Sequence, residues 1–173
     1  MAYKASQPFV LLQTQTATAS SSLTFTTGIN STYDNYLLIY KDGTIEGAAS
    51  LTQGLLVQLS TDTGMTYIAT GYVNNTSAGA LAVTTGLAIA FTQSVLGTSS
   101  FAGSTNLSNL TVSSNVPSSN GTVILFNSTA SLTAAAALGG FYNGGAVAVN
   151  ALKIVMSDAS TFSGIFSLYG IAN

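Results

Sequence analysis

The chain has 173 residues and a net charge of −2, and 47% of its residues are hydrophobic while only 5% are charged. This length suits one domain with a substantial core. Three lysines without any arginine give no basic patch for nucleic acid or anionic lipid. The absence of cysteine excludes disulfides, a thiol nucleophile and thiolate metal sites. A surface so poor in charge lacks the usual protection against self-association, so we expect neighbouring chains to cover much of it.

Neither end of the chain nor its most apolar stretch indicates a membrane protein. The N-terminal sequence MAYKASQPFVLLQTQ has no extended apolar run, so we do not expect a signal peptide. The most apolar stretch, ALAVTTGLAIAF (80–91), is shorter than the about 20 residues that a spanning helix needs.

Short runs rich in β-branched and aromatic residues, separated by Gly, Asn, Asp or Ser, follow one another along the chain. Several alternate with the period of two that a strand requires, as Leu55, Val57 and Leu59 do. The predicted strands are 9–16, 22–29, 35–41, 54–60, 66–73, 80–91, 109–114, 121–127, 145–157 and 164–171. Residues 129–140, with four consecutive alanines before two glycines, predict one short helix or a loop with a single turn. The pattern predicts an all-β protein, an antiparallel β-sandwich of jelly-roll type.

Glycine-containing signals predict turns between these strands. They are KDGT (41–44), STDTGMT (60–66) and SSNGT (118–122). The strand 35–41, NYLLIYK, is apolar on both faces, so we expect it to lie centrally in the sandwich, with residues 30–34 forming the turn before it.

Few residues could carry chemistry. Without His or Cys, the usual pairs of a nucleophile and a base cannot form, and no lysine has a recognisable spacing from a serine. Asp42 and Glu46 are the carboxylates closest in sequence that could serve a glycosidase, but both flank a predicted turn. Asp62 could offer oxygen to calcium, yet a single carboxylate falls short of a charged cage, and an Asx-type turn explains it better. We expect no enzymatic activity, no catalytic residue, no metal and no cofactor.

Three segments together resemble a known family. They are LLQTQTATASSSLTFTTGINSTYDNYLLIY (11–40), LVQLSTDTGMTYIATGYV (56–73) and AVNALKIVMSDASTFSGIFSLYGI (148–171). They are similar to a family of small virion proteins of tailed bacteriophages, which carry STYD, STDGG and LYGI signatures in this order. The resemblance covers nearly half of the chain and implies a β-sandwich structural component of the virion without enzymatic activity. Thr63 stands where the family usually has Gly, and residues 41–55 lack its usual Pro-Thr-Asp loop.

The resemblance, the small size and the charge-poor composition together predict a capsid decoration (cement) protein. Such a protein binds the major capsid protein on the outer surface of the head and stabilises the shell, and we expect it to be a homotrimer. Residues 1–10 would form an N-terminal arm, and residues 11–173 the jelly-roll domain. Candidate residues for the interface with other copies or with the capsid are aromatic residues and one proline: Tyr3, Pro8, Phe9, Tyr72, Tyr142 and Tyr169.

Two alternatives stay open at this point. A tail-fibre or receptor-binding module would use loop aromatics and Asn or Asp side chains to hold a glycan of the host surface. Such a module often has a separate attachment domain, for which this chain is short. A minor carbohydrate-binding module of cellular origin is the third interpretation, with exposed tyrosines stacking on sugars.

Overall fold

The computed structural model describes residues 9–46, 52–77, 79–93, 99–126, 132–158 and 160–172. These residues form twelve β-strands and no helix. Within the described ranges, nothing helical is long and apolar enough to cross a membrane.

Eight strands form the larger of two antiparallel sheets, in the order β1-β12-β3-β8-β9-β10-β5-β6. Their bounds are β1 Phe9–Ser20, β3 Tyr33–Glu46, β5 Tyr72–Thr76, β6 Gly79–Leu81, β8 Ser99–Ser108, β9 Ser118–Phe126, β10 Leu132–Tyr142 and β12 Thr161–Ala172. We call this layer the large sheet. Its middle strands are long, and β3 pairs with β12 on one side and β8 on the other.

The small sheet has the order β2-β11-β4-β7. Its strands are β2 Ser22–Phe25, β4 Thr52–Ser60, β7 Leu87–Gln93 and β11 Ala151–Met156. The two sheets enclose one core, to which β3 contributes Tyr36, Leu38 and Tyr40 while β4 contributes Leu55, Val57 and Leu59. The prediction of an antiparallel β-sandwich is confirmed, and so is the central position of the strand that includes residues 35–41. The jelly-roll subtype stays a prediction.

An aromatic cluster fills one part of the core. Tyr40, Phe101, Phe162 and Phe166 are each at most 2% exposed, and their neighbouring ring centroids lie 5.6–6.2 Å apart. The Tyr40 hydroxyl donates to the Ile89 carbonyl of the small sheet at 2.6 Å, so this ring also connects the two layers. Burial raises the pKa of Tyr40 to about 12.

Several predicted elements differ from the structure. The segment 129–140 is not helical where it is described, because residues from Leu132 onward form β10 between β9 and β5. Strand β8 falls in a stretch for which no strand was predicted, whereas residues 66–71, 82–86 and 109–114 lie outside strands. The Asn120-Gly121 signal is in the middle of β9, opposite Gly139 and Leu138.

The segment KDG (41–43) is also not a turn. It forms a β-bulge inside β3, where the register with β8 shifts between Tyr40 and Gly43. Asp42 has φ 53°, a left-handed conformation that Asp tolerates better than most residues. The strand continues to Glu46, because β12 and β8 pair with it on both sides of the bulge.

Candidate interaction surface

Two of the ionisable side chains, Glu46 and Lys153, have partners within the fold. The Glu46 carboxylate accepts a hydrogen bond from the Ser163 hydroxyl at 3.1 Å. The Lys153 ammonium lies 4.7 Å from the centre of the Tyr67 ring, a cation–π contact. In the part of the chain that the structure describes, no three His, Cys, Asp or Glu residues are grouped so that they could hold a metal ion.

Residues of its own loop donate hydrogen bonds to the Asp62 carboxylate. Its carboxylate accepts hydrogen bonds from the Thr66 hydroxyl at 2.5 Å, the Thr66 amide at 2.9 Å and the Ser60 hydroxyl at 2.7 Å. These bonds, those from Thr66 first, lower the pKa of Asp62 to about 2. The Ile68 amide donates to the Leu59 carbonyl at 2.9 Å, which closes the loop as the sequence predicts. The carboxylate therefore acts as the centre of a turn and not as a free ligand for calcium.

The bulge in β3 borders an open cavity of about 340 Å³. Its lining includes Asp42, Ser100, Phe101 and Phe126. Phe101 is buried under the sheet, whereas Phe126 is 39% exposed, so one aromatic side chain and one carboxylate are accessible there. A sugar-binding site usually needs several convergent polar groups around its aromatic platform, and this cavity offers few.

The face of the large sheet that points away from the small sheet is a broader candidate, and we call it the outer face. Successive side chains of a strand point to opposite faces, so the outer face carries the residues that alternate with the core. On β12, for example, Phe166 and Leu168 are fully buried, whereas Ser167, Tyr169 and Ile171 between and beyond them are only partly buried. The register of the sheet then places the outer residues in rows that run across the strands.

Apolar side chains cover one side of this outer face, on β1, β12 and β3. Leu11 is opposite Tyr169, which is opposite Leu37, and Phe9 is opposite Ile171 in the next row. Phe9 is 59% exposed and Leu11 54%. We call this group the first margin: Phe9, Leu11, Leu37, Ile39, Tyr169 and Ile171.

Polar side chains follow on parts of β8 and β9, in the middle of the sheet, whereas Ile124 and Phe126, further along the same face of β9, are 45% and 39% exposed. Asn106 is opposite Asn120, and the Asn106 amide donates to the Asn120 side-chain oxygen at 3.2 Å. Ser104 is opposite Thr122 in the adjacent row. We call this group the central strip: Ser104, Asn106, Ser108, Ser118, Asn120 and Thr122.

Apolar side chains return on the far side of the strip, where β10 pairs with β5. Phe141 is opposite Val73, and each is 37% exposed. Val116, 41% exposed, lies two residues before Ser118, the residue opposite Phe141 on β9. Val73, Val116 and Phe141 form the second margin. The rows that contain the two margins and the central strip include no Lys, Asp or Glu at a described position, but Lys41 is exposed in the adjoining row of the same face, opposite Ile165.

The six interface residues predicted from the sequence have different outcomes. Tyr3 and Pro8 lie outside the described residues. Phe9 and Tyr169 both lie in the first margin, in adjacent rows, although Phe9 belongs to β1 and not to an arm, so the domain includes residues 9 and 10. Their role in an interface stays a prediction.

Tyr72 is not exposed, so that prediction is wrong. It faces the core from β5 and is 1% exposed. Its hydroxyl donates to the Ile68 carbonyl and accepts from the Leu59 amide, both at 3.0 Å, which fixes the loop after β4. Burial raises the pKa of Tyr72 to about 12. Tyr142 is half-buried, with its ring centre 5.3 Å from that of Tyr72, so little of it is available to a partner.

The first margin was only partly recognisable from the sequence. Leu37 and Ile39 alternate with buried residues within 36–40, a run of β3 in which every residue is aliphatic or aromatic, so the sequence does not distinguish the inner face from the outer one. Val73 and Phe141 come together only through the pairing of β5 with β10, a strand that was predicted as a helix or loop.

Comparison with known proteins does not assign the chain to a family. No protein-family model and no curated protein matches the chain. Among solved structures, the chain has a weak match to Scytalido-glutamic peptidase with a peptide-based transition state analog, at 14% identity and a TM-score of 0.33. The alignment covers 91% of this chain and 72% of that one. A similarity this low carries no argument about function.

Proposed function

We propose that this chain is a bacteriophage virion structural protein, a capsid decoration protein that binds the outer surface of the head as a homotrimer and stabilises the shell. The observation that carries the proposal is the outer face of the large sheet. It exposes apolar side chains in both margins and on β9 around a patch of uncharged polar ones, which suits a protein that works through wide contacts with other subunits.

The strand order supports the jelly-roll part of this proposal. Strands β1, β2, β3 and β4 pair with β12, β11, β8 and β7 respectively, so four pairs are nested one inside another. The four strands that begin these pairs alternate between the sheets, with β1 and β3 in one and β2 and β4 in the other. A long antiparallel hairpin rolled around a core has this order. Strands β5, β6, β9 and β10 are additions that widen the large sheet.

The fold does not decide the function, because jelly rolls occur in capsid proteins, in lectins and in cupins. The surface chemistry favours the structural role over an enzyme or a lectin. The Asp62 carboxylate accepts hydrogen bonds from residues of its own turn, and the cavity beside Asp42 has few polar groups. An uncharged interface avoids the large cost of desolvating ions, so it remains stable at different salt concentrations.

A cement protein stabilises the head by mass action. Any molecule that binds the assembled shell and not its separated subunits shifts the equilibrium towards the shell. Three linked copies would raise the effective affinity further, because the second and third contacts form within one complex. Modest contacts by each copy are then sufficient.

The test uses heads of the phage that encodes the chain, made with and without its gene. We expect heads without the protein to assemble but to release DNA at a lower temperature, and purified protein added back should restore the wild-type release temperature. Cryo-electron microscopy of the restored heads should show added density on the outer surface. Heads of equal stability in both preparations would contradict the proposal, and density confined to the tail would favour the receptor-binding alternative.

A further inference from the structure

The chain contains the dipeptide Asn-Gly twice, at Asn120-Gly121 and at Asn143-Gly144, and the structure holds the two pairs in opposite ways. In Asn-Gly the backbone nitrogen of the glycine readily attacks the side-chain amide before it, because glycine has no Cβ to obstruct the approach. We infer that Asn143 is a site of spontaneous deamidation in the folded protein, whereas Asn120 is protected from this reaction by its strand.

The reaction requires no reagent other than water. The Gly144 nitrogen, after losing its proton to solvent, forms a bond to the Asn143 Cγ, and the side-chain nitrogen leaves as ammonia. Water then opens the resulting succinimide ring at either of its carbonyls. The product is aspartate or isoaspartate, in which the main chain runs through the side-chain carbonyl carbon. In both products a carboxylate replaces a neutral amide, which adds one negative charge to the net charge of −2.

Asn143 and Gly144 lie in the turn after β10, and both are exposed. The Asn143 amide donates to the Gly71 carbonyl at 2.6 Å, so the pair is attached to the domain by its backbone. Within the described part of the chain, neither the Asn143 side chain nor the Gly144 amide makes a hydrogen bond. The next residue, Gly145, has φ 103° and open space where a Cβ would be. The reacting atoms are therefore accessible to water, and the backbone beyond them has room to adjust.

Asn120 and Gly121 lie in the middle of β9, which pairs with β8 on one side and β10 on the other. In a strand with two neighbours each backbone amide donates to one of them, so the Gly121 nitrogen is held in the ladder. The Asn120 side-chain oxygen accepts from the Asn106 amide at 3.2 Å. A Cβ on Gly121 would collide with the Ser104 carbonyl oxygen, so the backbone has little room to bend towards the side chain. Asn120 can react only when β9 opens locally.

The fold also requires the glycine of the reactive pair. A Cβ on Gly144 would collide with the hydroxyl of Tyr142, whose ring packs against Tyr72. The new carboxylate would lie two residues from Phe141, at the border of the second margin. A carboxylate is costly to bury in an apolar contact, so deamidation changes what this border can bind while the two sheets stay as they are.

The test follows both Asn-Gly pairs in one sample. The purified chain is kept in mildly alkaline buffer, either folded or unfolded in guanidinium chloride, and is digested at intervals with pepsin, whose acidic buffer stops the reaction. Phe126 and Phe141 lie between the two pairs and offer cleavage sites that place them in separate peptides. Mass spectrometry measures the conversion of each peptide, and an isoaspartate methyltransferase detects the isomer. Asn143→Gln is the matched variant, because its longer side chain would have to close a less favourable ring.

In the folded protein, we expect Asn143 to be converted at least about tenfold faster than Asn120, which reacts only during local opening of β9. In guanidinium chloride both sites should react at similar rates, because the protection by the sheet is lost. The folded wild type should also gain an acidic form on isoelectric focusing, and folded Asn143→Gln should gain it much more slowly. The inference is overturned if Asn143 stays intact in the folded protein while the unfolded chain reacts, or if the two sites react equally in the folded protein.

Discussion

The segments KDG (41–43) and STDTG (60–64) carry the same kind of signal, an aspartate followed at once or after one residue by a glycine. In both, a residue other than glycine adopts a positive φ, 53° at Asp42 and 60° at Thr63. Yet the chain reverses after Ser60 and continues straight through Asp42 as a bulge. The signal therefore reports a local left-handed conformation, and long-range strand pairing decides whether the chain turns there.

The two segments also differ in what fixes them. The bulge is held by packing, because Gly43 lies directly under the ring of Phe101. The loop is held by side-chain hydrogen bonds to Asp62 and by the Asn150 side chain, which accepts from the Thr63 amide at 2.8 Å and donates to the Thr61 carbonyl at 3.1 Å. Substitutions in the aromatic cluster should thus affect the bulge strongly, and changes of pH should affect the loop.

The largest effect is expected at Phe166, whose ring centre lies 6.2 Å from that of Phe101 above the bulge. Phe166 is 0% exposed, and truncation of such a ring to alanine costs about 3–5 kcal/mol. Phe166→Ala should therefore lower the free energy of unfolding in urea by that amount or prevent folding. Ile165→Ala, one residue away on the outer face and half-buried, is the control and should cost clearly less. Equal losses at both positions would mean that the two faces of β12 are assigned incorrectly.

A smaller loss is expected for Gly43→Ala. A Cβ at this position would lie 2.5 Å from two carbon atoms of the Phe101 ring, so the ring has to move against Tyr40 and Phe166. Overpacking of this kind costs about 1–3 kcal/mol. Gly139→Ala is the control, since its nearest neighbour would be the Ser119 carbonyl oxygen at 3.6 Å. The double variant Gly43→Ala with Phe101→Leu should lose less than the sum of the two single changes, and strict additivity would contradict direct contact.

The contrast between local hydrogen bonds in the loop and long-range strand pairing at the bulge also explains which elements could be predicted from the sequence. The loop at Asp62 was predictable, because its hydrogen bonds join residues within a few positions of one another. Strand β8, with the sequence SSFAGSTNLS, has weak strand propensity and forms because β3 and β9 pair with it on both sides. The alanines of β10 favour a helix, but pairing with β9 and β5 overrides that preference.

The candidate surface was predictable to a similar extent. Phe9 and Tyr169 were identified as aromatic residues available to a partner, and both lie in the first margin. Tyr72 could not be separated from them, because only the placement of β5 next to β10 turns its ring towards the core. The second margin depends on a pair of strands that are about 70 residues apart in sequence, and no local pattern reports such a pairing.

The loop, in contrast with the bulge, should respond to acid. Hydrogen bonds lower the pKa of Asp62 from 3.8 to about 2, so the carboxylate stabilises the fold above pH 4 or so. This contribution is lost as the pH falls from about 4 towards about 2. Asp62→Asn should lower the melting temperature at neutral pH, and its difference from the wild type should shrink over that acid range. A constant difference between Asp62→Asn and the wild type down to about pH 2 would contradict the role of the carboxylate.

The smallest effects are gains in stability, and the larger of them is expected at Thr63. A β-branched residue at φ 60° is strained by roughly 1–2 kcal/mol, and glycine removes that strain. Glycine also increases the entropy of the unfolded chain, at a cost of roughly 0.5–1 kcal/mol, so Thr63→Gly should stabilise the protein by about 0.5–1 kcal/mol. The backbone amide that binds Asn150 is retained, and Thr63→Ala, which keeps the strained conformation, should bring no gain. Asp42→Gly makes the same exchange in the bulge and should gain less, because Asp tolerates the left-handed region better than Thr does. Urea unfolding of the three variants tests this prediction. An equal gain at both sites would show that the strain does not depend on which side chain is present, and a loss at Thr63 would mean that its side chain stabilises the loop by more than its strain costs.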